Sequence, residues 1–143
     1  MNFKDIAAVS GKGGLFKVVK PTKTGVILES LDDNKSKLVT TLSQKVSILA
    51  EISVYCAGDK ETIALDEVLV KIKDEFGDDP GVDKNSDAEE LKSFFAHIIP
   101  NYDRDRVYVS DIKKIVNWYL IIYKFAPELL VKKKSEEKDE STG

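Results

Sequence analysis

The sequence has few of the residues from which catalytic and metal sites are most often assembled. Its 143 residues include one cysteine, Cys56, and one histidine, His97. A lone cysteine excludes an internal disulfide and a Cys-cluster zinc site, and a lone histidine cannot by itself furnish a His-based metal centre. No apolar run approaches the roughly 18 residues that a membrane span requires. The opening MNFKDIAAVSGKGG has no apolar core of signal-peptide length, which argues against secretion by that route and makes the cytoplasm the expected compartment. There is no large excess of charge of one sign either. The formal net charge is −3, far from the balance of a dedicated nucleic-acid binder.

The composition is that of a folded chain: 42% hydrophobic and 33% charged, in a length that suits one ordinary domain or two very small ones. Charge divides it. Residues 1–60 carry nine lysines against six acids, and residues 61–131 carry nine basic residues against fifteen acids. A weakly basic front and an acidic back point to two structural units.

The front half reads as strands. GLFKVVK (14–20), VILESL (26–31) and SKLVTTL (36–42) are rich in β-branched residues and separated by the turns PTKTG (21–25) and DDNK (32–35). EISVYC (51–56) alternates, with Ile52, Val54 and Cys56 on one side and Ser53 and Tyr55 on the other, the period of a half-buried strand. SQKVSIL (43–49) fits a short strand or one helical turn, and FKDIAA (3–8) fits a short helix. Four or five short antiparallel strands in under sixty residues predict a small SH3-like β-barrel over residues 1–58, since closure would remove exposed edges, with an incomplete meander packed on the helical half as the alternative.

The back half reads as a three-helix domain over residues 59–131. In LDEVLVKIKDEF, Leu65, Val68, Leu69, Ile72 and Phe76 share a face, and Gly77 supplies a stop. Ser86 with Glu89 forms a capping box for a helix whose inner face is Leu91, Phe94, Phe95, Ile98 and Ile99, ended by Pro100. Ser110 is the expected N-cap of the last helix. That helix carries two apolar stripes. One is Ile112, Ile115, Val116, Tyr119, Ile122, Tyr123 and Ala126; the other is Trp118, Ile121 and Phe125. A helix apolar on two sides must be covered on two sides, so the second stripe is a candidate interaction face toward the strand half, a protein partner or a second copy of the chain. Residues 132–143 are charged without apolar period and are expected to be disordered.

Several stretches imitate functional motifs. Ser10-Gly11-Lys12-Gly13-Gly14-Leu15 follows the deviant P-loop of MinD-like and ParA-like ATPases. Phe16, Lys17 and Val18 then replace its Gly-Lys-Ser/Thr, so the Mg²⁺-binding hydroxyl is missing, and the following residues read as a strand instead of a helix. Asp83, Asn85 and Asp87 open like a calcium loop, but Ala88 and Phe94 replace its glycine and bidentate glutamate. His97, beside Phe94, reads as a boundary residue. Asp103 to Arg106 could form an acid–base or anion-binding loop but read more simply as a solvated turn, and Cys56 reads as a buried apolar residue. No cofactor is implied, and nothing here assembles a catalytic constellation. Lys12, Lys17, Lys20 and Lys23, with Phe16 and Tyr55 nearby in type, form a candidate nucleic-acid contact. Lysines along a sheet edge also serve as ordinary protection against edge pairing.

The order of four separated stretches, KDIAAVSGKGGLFKVVKPTKTGVILESLD, EISVY, EFGDD and RVYVSDIKKIVNWY, resembles an uncharacterised protein family of Bacteroidota. In that family an N-terminal domain of unknown function precedes a smaller helical domain, also of unknown function. The resemblance covers the chain to about Leu130 and implies a bacterial, cytoplasmic, two-part protein. It supplies no catalytic residue or cofactor. The residues themselves favour a non-catalytic module that binds another macromolecule, most simply a protein, with a nucleic-acid-associated module as the alternative.

Overall fold

The computed structural model describes residues 1–41, 43–58 and 62–131. The fold is mixed α+β. Five strands, β1 (Ile6–Val9), β2 (Phe16–Pro21), β3 (Val26–Ser30), β4 (Lys37–Val39) and β5 (Val46–Ile48), form one antiparallel sheet in the order β4-β3-β2-β1-β5. A second sheet pairs β6 (Ser53–Tyr55) with β7 (Thr62–Ala64). Three helices follow: α1 (Leu65–Phe76), α2 (Ala88–Ile98) and α3 (Val109–Phe125).

The closed barrel expected from the strand pattern does not form. Among the described residues no ladder joins the outer strands β4 and β5. Each has only three residues, and Val39 on β4 is 60% exposed. After β5 the chain turns through a 3-10 helix, Leu49–Glu51, and leaves the sheet. The alternating stretch around Val54 therefore pairs with β7, a strand the sequence pattern does not announce.

The expected helix over residues 3–8 is also corrected. Only Phe3–Asp5 form a 3-10 turn, capped by the Asn2 side chain, which accepts from the Lys4 N–H at 2.8 Å. Ile6 onward is strand because β1 lies between β2 and β5 and is covered on both faces. Burial on two faces overrides the helical preference of the paired alanines. The ambiguous 43–49 segment resolves into β5 running directly into the Leu49–Glu51 turn.

Two helix starts move. The cap of α2 is Asp87, one residue past Ser86: its Oδ1 accepts from the Glu90 N–H at 2.9 Å, and Glu90 Oε1 accepts from the Asp87 N–H at 3.2 Å. The Ser86 hydroxyl instead accepts from the Asp83 N–H at 2.9 Å. In α3 the N-cap is Tyr108 and Ser110 lies within the first turn, because the Asp111 carboxylate reaches back to the Tyr108 N–H at 2.9 Å. Gly77 ends α1 as expected, at φ 62°.

One apolar cluster runs from Ile6, Leu15 and Leu49 through all three helices to Leu130. A smaller one, Val9, Phe16 and Leu28, lies on the opposite face of the large sheet. The first stripe of α3 faces the large cluster: Ile112, Ile115, Val116, Tyr119, Ile122 and Ala126 are buried. Trp118, Ile121 and Phe125 are only partly covered. The segment 132–143 lies outside the described residues.

Candidate functional site

The glycine-rich segment Ser10–Gly14 connects β1 to β2, and its position follows from the sheet. The Ser10 N–H donates to the Lys45 carbonyl at 2.9 Å, which carries the pairing of β1 with β5 one residue further. Gly11 and Gly14 turn the chain at φ 83° and 77°. Leu15 and Phe16 then drop into the two apolar clusters. The loop joins two antiparallel strands, so it lacks the helix N-terminus on which a P-loop depends.

Beneath this loop lies a cleft of about 630 Å³. Its second wall is β6 with Ile52, and its third is the first half of α3, which presents Asp111, Lys114, Ile115 and Trp118. Those four recur at helical spacing i, i+3, i+4 and i+7, so one face of α3 points into the cleft. Arg106 and Val107, just before α3, close one end.

The cleft gathers cations from separate elements: Lys12 on the loop, Lys45 before β5, Arg106 before α3 and Lys114 on α3. Lys12, Lys45 and Lys114 are exposed and make no ion pair among the described residues. Arg106 is held in place. Its Nε donates to Asp103 Oδ2 at 2.9 Å, and its guanidinium lies 4.3 Å over the centre of the Tyr55 ring. Asp111 is the one carboxylate on the described lining, and it caps α3.

The turn that aims Arg106 is ordered by Asp103, so Asp103 to Arg106 are more than a solvated connection. Asp103 Oδ1 accepts from the Asp105 N–H at 2.9 Å and the Arg106 N–H at 3.3 Å. The Arg106 side chain, together with these N–H groups, holds the Asp103 carboxyl below its ordinary range. Arg104 donates to the carbonyls of Pro100 at 3.0 Å and Tyr102 at 2.8 Å and lies over the Tyr102 ring.

Of the residues singled out from the sequence, the cleft brings together Lys12 and Trp118, with Tyr55. It does not take in Lys17, Lys20 or Lys23. Lys17 lies across from Glu29, the partner of Lys37 at 3.4 Å, while Lys20 follows a register shift in β2 and Lys23 sits in the turn after it. Phe16 is buried. Ile121 and Phe125 continue the Trp118 stripe beyond the cleft, with the Lys124 ammonium 5.2 Å from the Phe125 ring centre. Lys45 and Lys114 are not apparent from the sequence, whereas Arg106 belongs to the charged turn whose anion-binding reading the sequence offers. The i, i+4 spacing of Lys114 and Trp118 is the one local signal that could have linked any of them to the site.

The remaining candidates have local roles. His97 Nε2 lies 3.2 Å from Glu75 Oε1 and edge-on to Phe76. Cys56 is buried. Asp83 Oδ1 accepts from the Asn85 N–H at 2.8 Å, and Asp87 caps α2. No group of three or more potential metal ligands occurs among the described residues. None of the described helices is long and apolar enough to cross a membrane.

Comparison with known families places this arrangement. Residues 3–49 match the domain of unknown function DUF5606, and residues 52–122 match the domain of unknown function DUF6852. The chain belongs to the family that joins these two domains of unknown function in that order. It is similar to a protein from Bacteroides vulgatus whose solution NMR structure was determined as a structural-genomics target. The two are 38% identical, the match covers 84% of each chain, and the TM-score is 0.65. Comparison with curated proteins gave no match.

Proposed function

We propose that this chain is a non-catalytic, cytoplasmic binding module whose partner is a protein, and that the cleft beneath the glycine-rich loop is where the partner is held. One observation carries the reading: the half-buried Trp118 ring and three lysine ammonium groups that make no ion pair among the described residues line a single concave surface. Aromatic anchors ringed by polar groups are the usual centres of recognition surfaces. The described lining contains no histidine or cysteine, and its one carboxylate is engaged at a helix start, which supports binding over acid–base chemistry. The large sheet, five short antiparallel strands with a register shift in β2, supports an open SH3-like reading of the first half.

A nucleic-acid-associated module is the second reading, favoured by the meeting of Lys12, Lys45 and Lys114 beside an aromatic ring. The two separate experimentally. A photo-crosslinking residue placed at Asn117, on the cleft lining, should give a discrete protein adduct in a Bacteroidota host. That adduct should disappear when Trp118→Ala is added. Trp118-dependent adducts to RNA alone would establish the second reading, and no Trp118-dependent adduct of either kind would overturn both.

A further inference from the structure

We propose that the cleft takes an extended acidic peptide segment of the partner, with an apolar residue of that segment seated against Trp118. This inference rests on the binding-module reading and names the chemistry of what is bound.

Charge is the first argument. The chain is acidic overall, yet three lysines from three different elements and Arg106 converge on a described lining that holds one carboxylate, Asp111, and none of the three lysines makes an ion pair among the described residues. Like charges on one concave wall repel one another, and an anionic occupant relieves that repulsion. Arg106 stands at the rim with its orientation set by Asp103 and Tyr55. The floor supplies the second argument. Val54, Val107 and Ile115 are buried apolar residues at the base, and Trp118 is only partly covered. A fully anionic ligand would leave that apolar surface uncovered, whereas a peptide with one apolar side chain covers it.

The main chain of β6 supplies the third argument. The Ile52 carbonyl accepts from the Leu65 N–H at 2.9 Å, on the side of β7, and the Tyr55 carbonyl accepts from the Asp103 N–H at 3.0 Å, on the other side. Strand alternation then turns the Ser53 peptide groups away from β7, the geometry with which a strand edge accepts an extended segment. A volume of about 630 Å³ suits a few residues of such a segment and not a folded surface. Longer polyanions fit less well. Lys17, Lys20 and Lys23 do not extend the cationic wall, and residues 61–131 carry fifteen acids.

Trp118 is the sole tryptophan, so its emission reports directly on the cleft. The probe is an acetylated nonapeptide of alternating glutamate and valine with a central phenylalanine, compared with its glutamine counterpart and with an oligouridylate of equal charge. The acidic peptide should shift Trp118 emission saturably, and the glutamine peptide should bind at least about tenfold more weakly. The double variant Lys45→Glu/Lys114→Glu should lose about tenfold or more in affinity, while Lys92→Glu, exposed on α2, should bind as wild type. Circular dichroism checks that each variant is folded. Equal binding of the glutamine peptide, or unchanged binding by the double variant, would overturn the acidic assignment and leave the binding module standing. Tighter binding of the oligouridylate would overturn the peptide assignment in favour of nucleic acid. No response to any probe, with the Trp118-dependent protein adduct still present, would overturn this inference alone.

Discussion

The hydroxyl of Tyr119, at the centre of α3, donates a hydrogen bond to the main-chain carbonyl of Gly77, the residue that ends α1. The bond ties two helices together at a point where α1 has left a carbonyl without an intrahelical donor. Burial pushes the Tyr119 phenol up from 10.0 to about 12, with further contributions from Tyr123, Asp78 and Asp74. Because the folded value lies above the unfolded one, this contribution to stability is complete below pH 10 and is lost as the pH rises toward 12. Tyr119→Phe should lower stability at neutral pH by about 1–2 kcal/mol. It should also remove this component of alkaline destabilisation. Thermal melts of both proteins from pH 7 to 12 test this, and parallel melting curves across that range would refute it.

Gly25 should tolerate no side chain. A Cβ there would run into the Thr40 main-chain carbonyl, and Thr40 is itself fixed: its N–H donates to the Val26 carbonyl at 2.9 Å, and its Oγ1 accepts from the Val26 N–H at 3.1 Å. Backbone has to move, so Gly25→Ala should cost roughly 1–3 kcal/mol. Thr40→Val keeps the shape but strips the Val26 N–H of its partner, for about 1–2 kcal/mol. Urea denaturation midpoints read both.

The three loop glycines should behave differently from one another. Gly11 and Gly14 hold positive φ, while no such angle occurs at Gly13 and a Cβ there meets open space. Gly11→Ala and Gly14→Ala should each cost about 1–2 kcal/mol through backbone strain. Gly13→Ala should be neutral or stabilising by up to about 1 kcal/mol, because it restricts only the unfolded chain. Equal effects at all three positions would contradict the loop geometry.

Asp103 should matter most when it is charged. Its folded carboxyl titrates below 3.8, chiefly because of Arg106 and then the Asp105 N–H. A depressed folded value gives stability that is present above the ordinary carboxylate range and is lost as the pH falls through the folded value. Asp103→Asn should therefore be less stable than wild type at pH 7, with the gap narrowing below about pH 4. Urea midpoints at pH 7, 5 and 3 measure it.

Much of the helical half is legible residue by residue. Leu65, Val68, Leu69 and Ile72 on α1, and Leu91, Phe94, Phe95 and Ile98 on α2, are buried at the spacing their positions dictate. The α2 cap moves by one because the sequence holds two overlapping boxes, Ser86 with Glu89 and Asp87 with Glu90, each chemically competent. Strands β1 and β7 carry a weaker signal. Four residues of Ile-Ala-Ala-Val and three of Thr-Ile-Ala carry too little period to declare themselves, and their extended state depends on the strands beside them.

A strand-rich front and a helical back, the inner faces of the helices, and the inward side shared by Val54 on β6 and Cys56 just after it are all legible in the residues alone. Each rests on a repeat or cap that a few neighbouring residues express on their own. The open large sheet, the pairing of β6 with β7 and the meeting of Lys12, Lys45, Lys114 and Trp118 in one cleft emerge only in three dimensions. These four residues come from three distant segments, and no local period links the segments. Their meeting follows from how the β1–β2 loop, the residues around the start of β5 and the first half of α3 come to face one cleft, which depends on long-range packing.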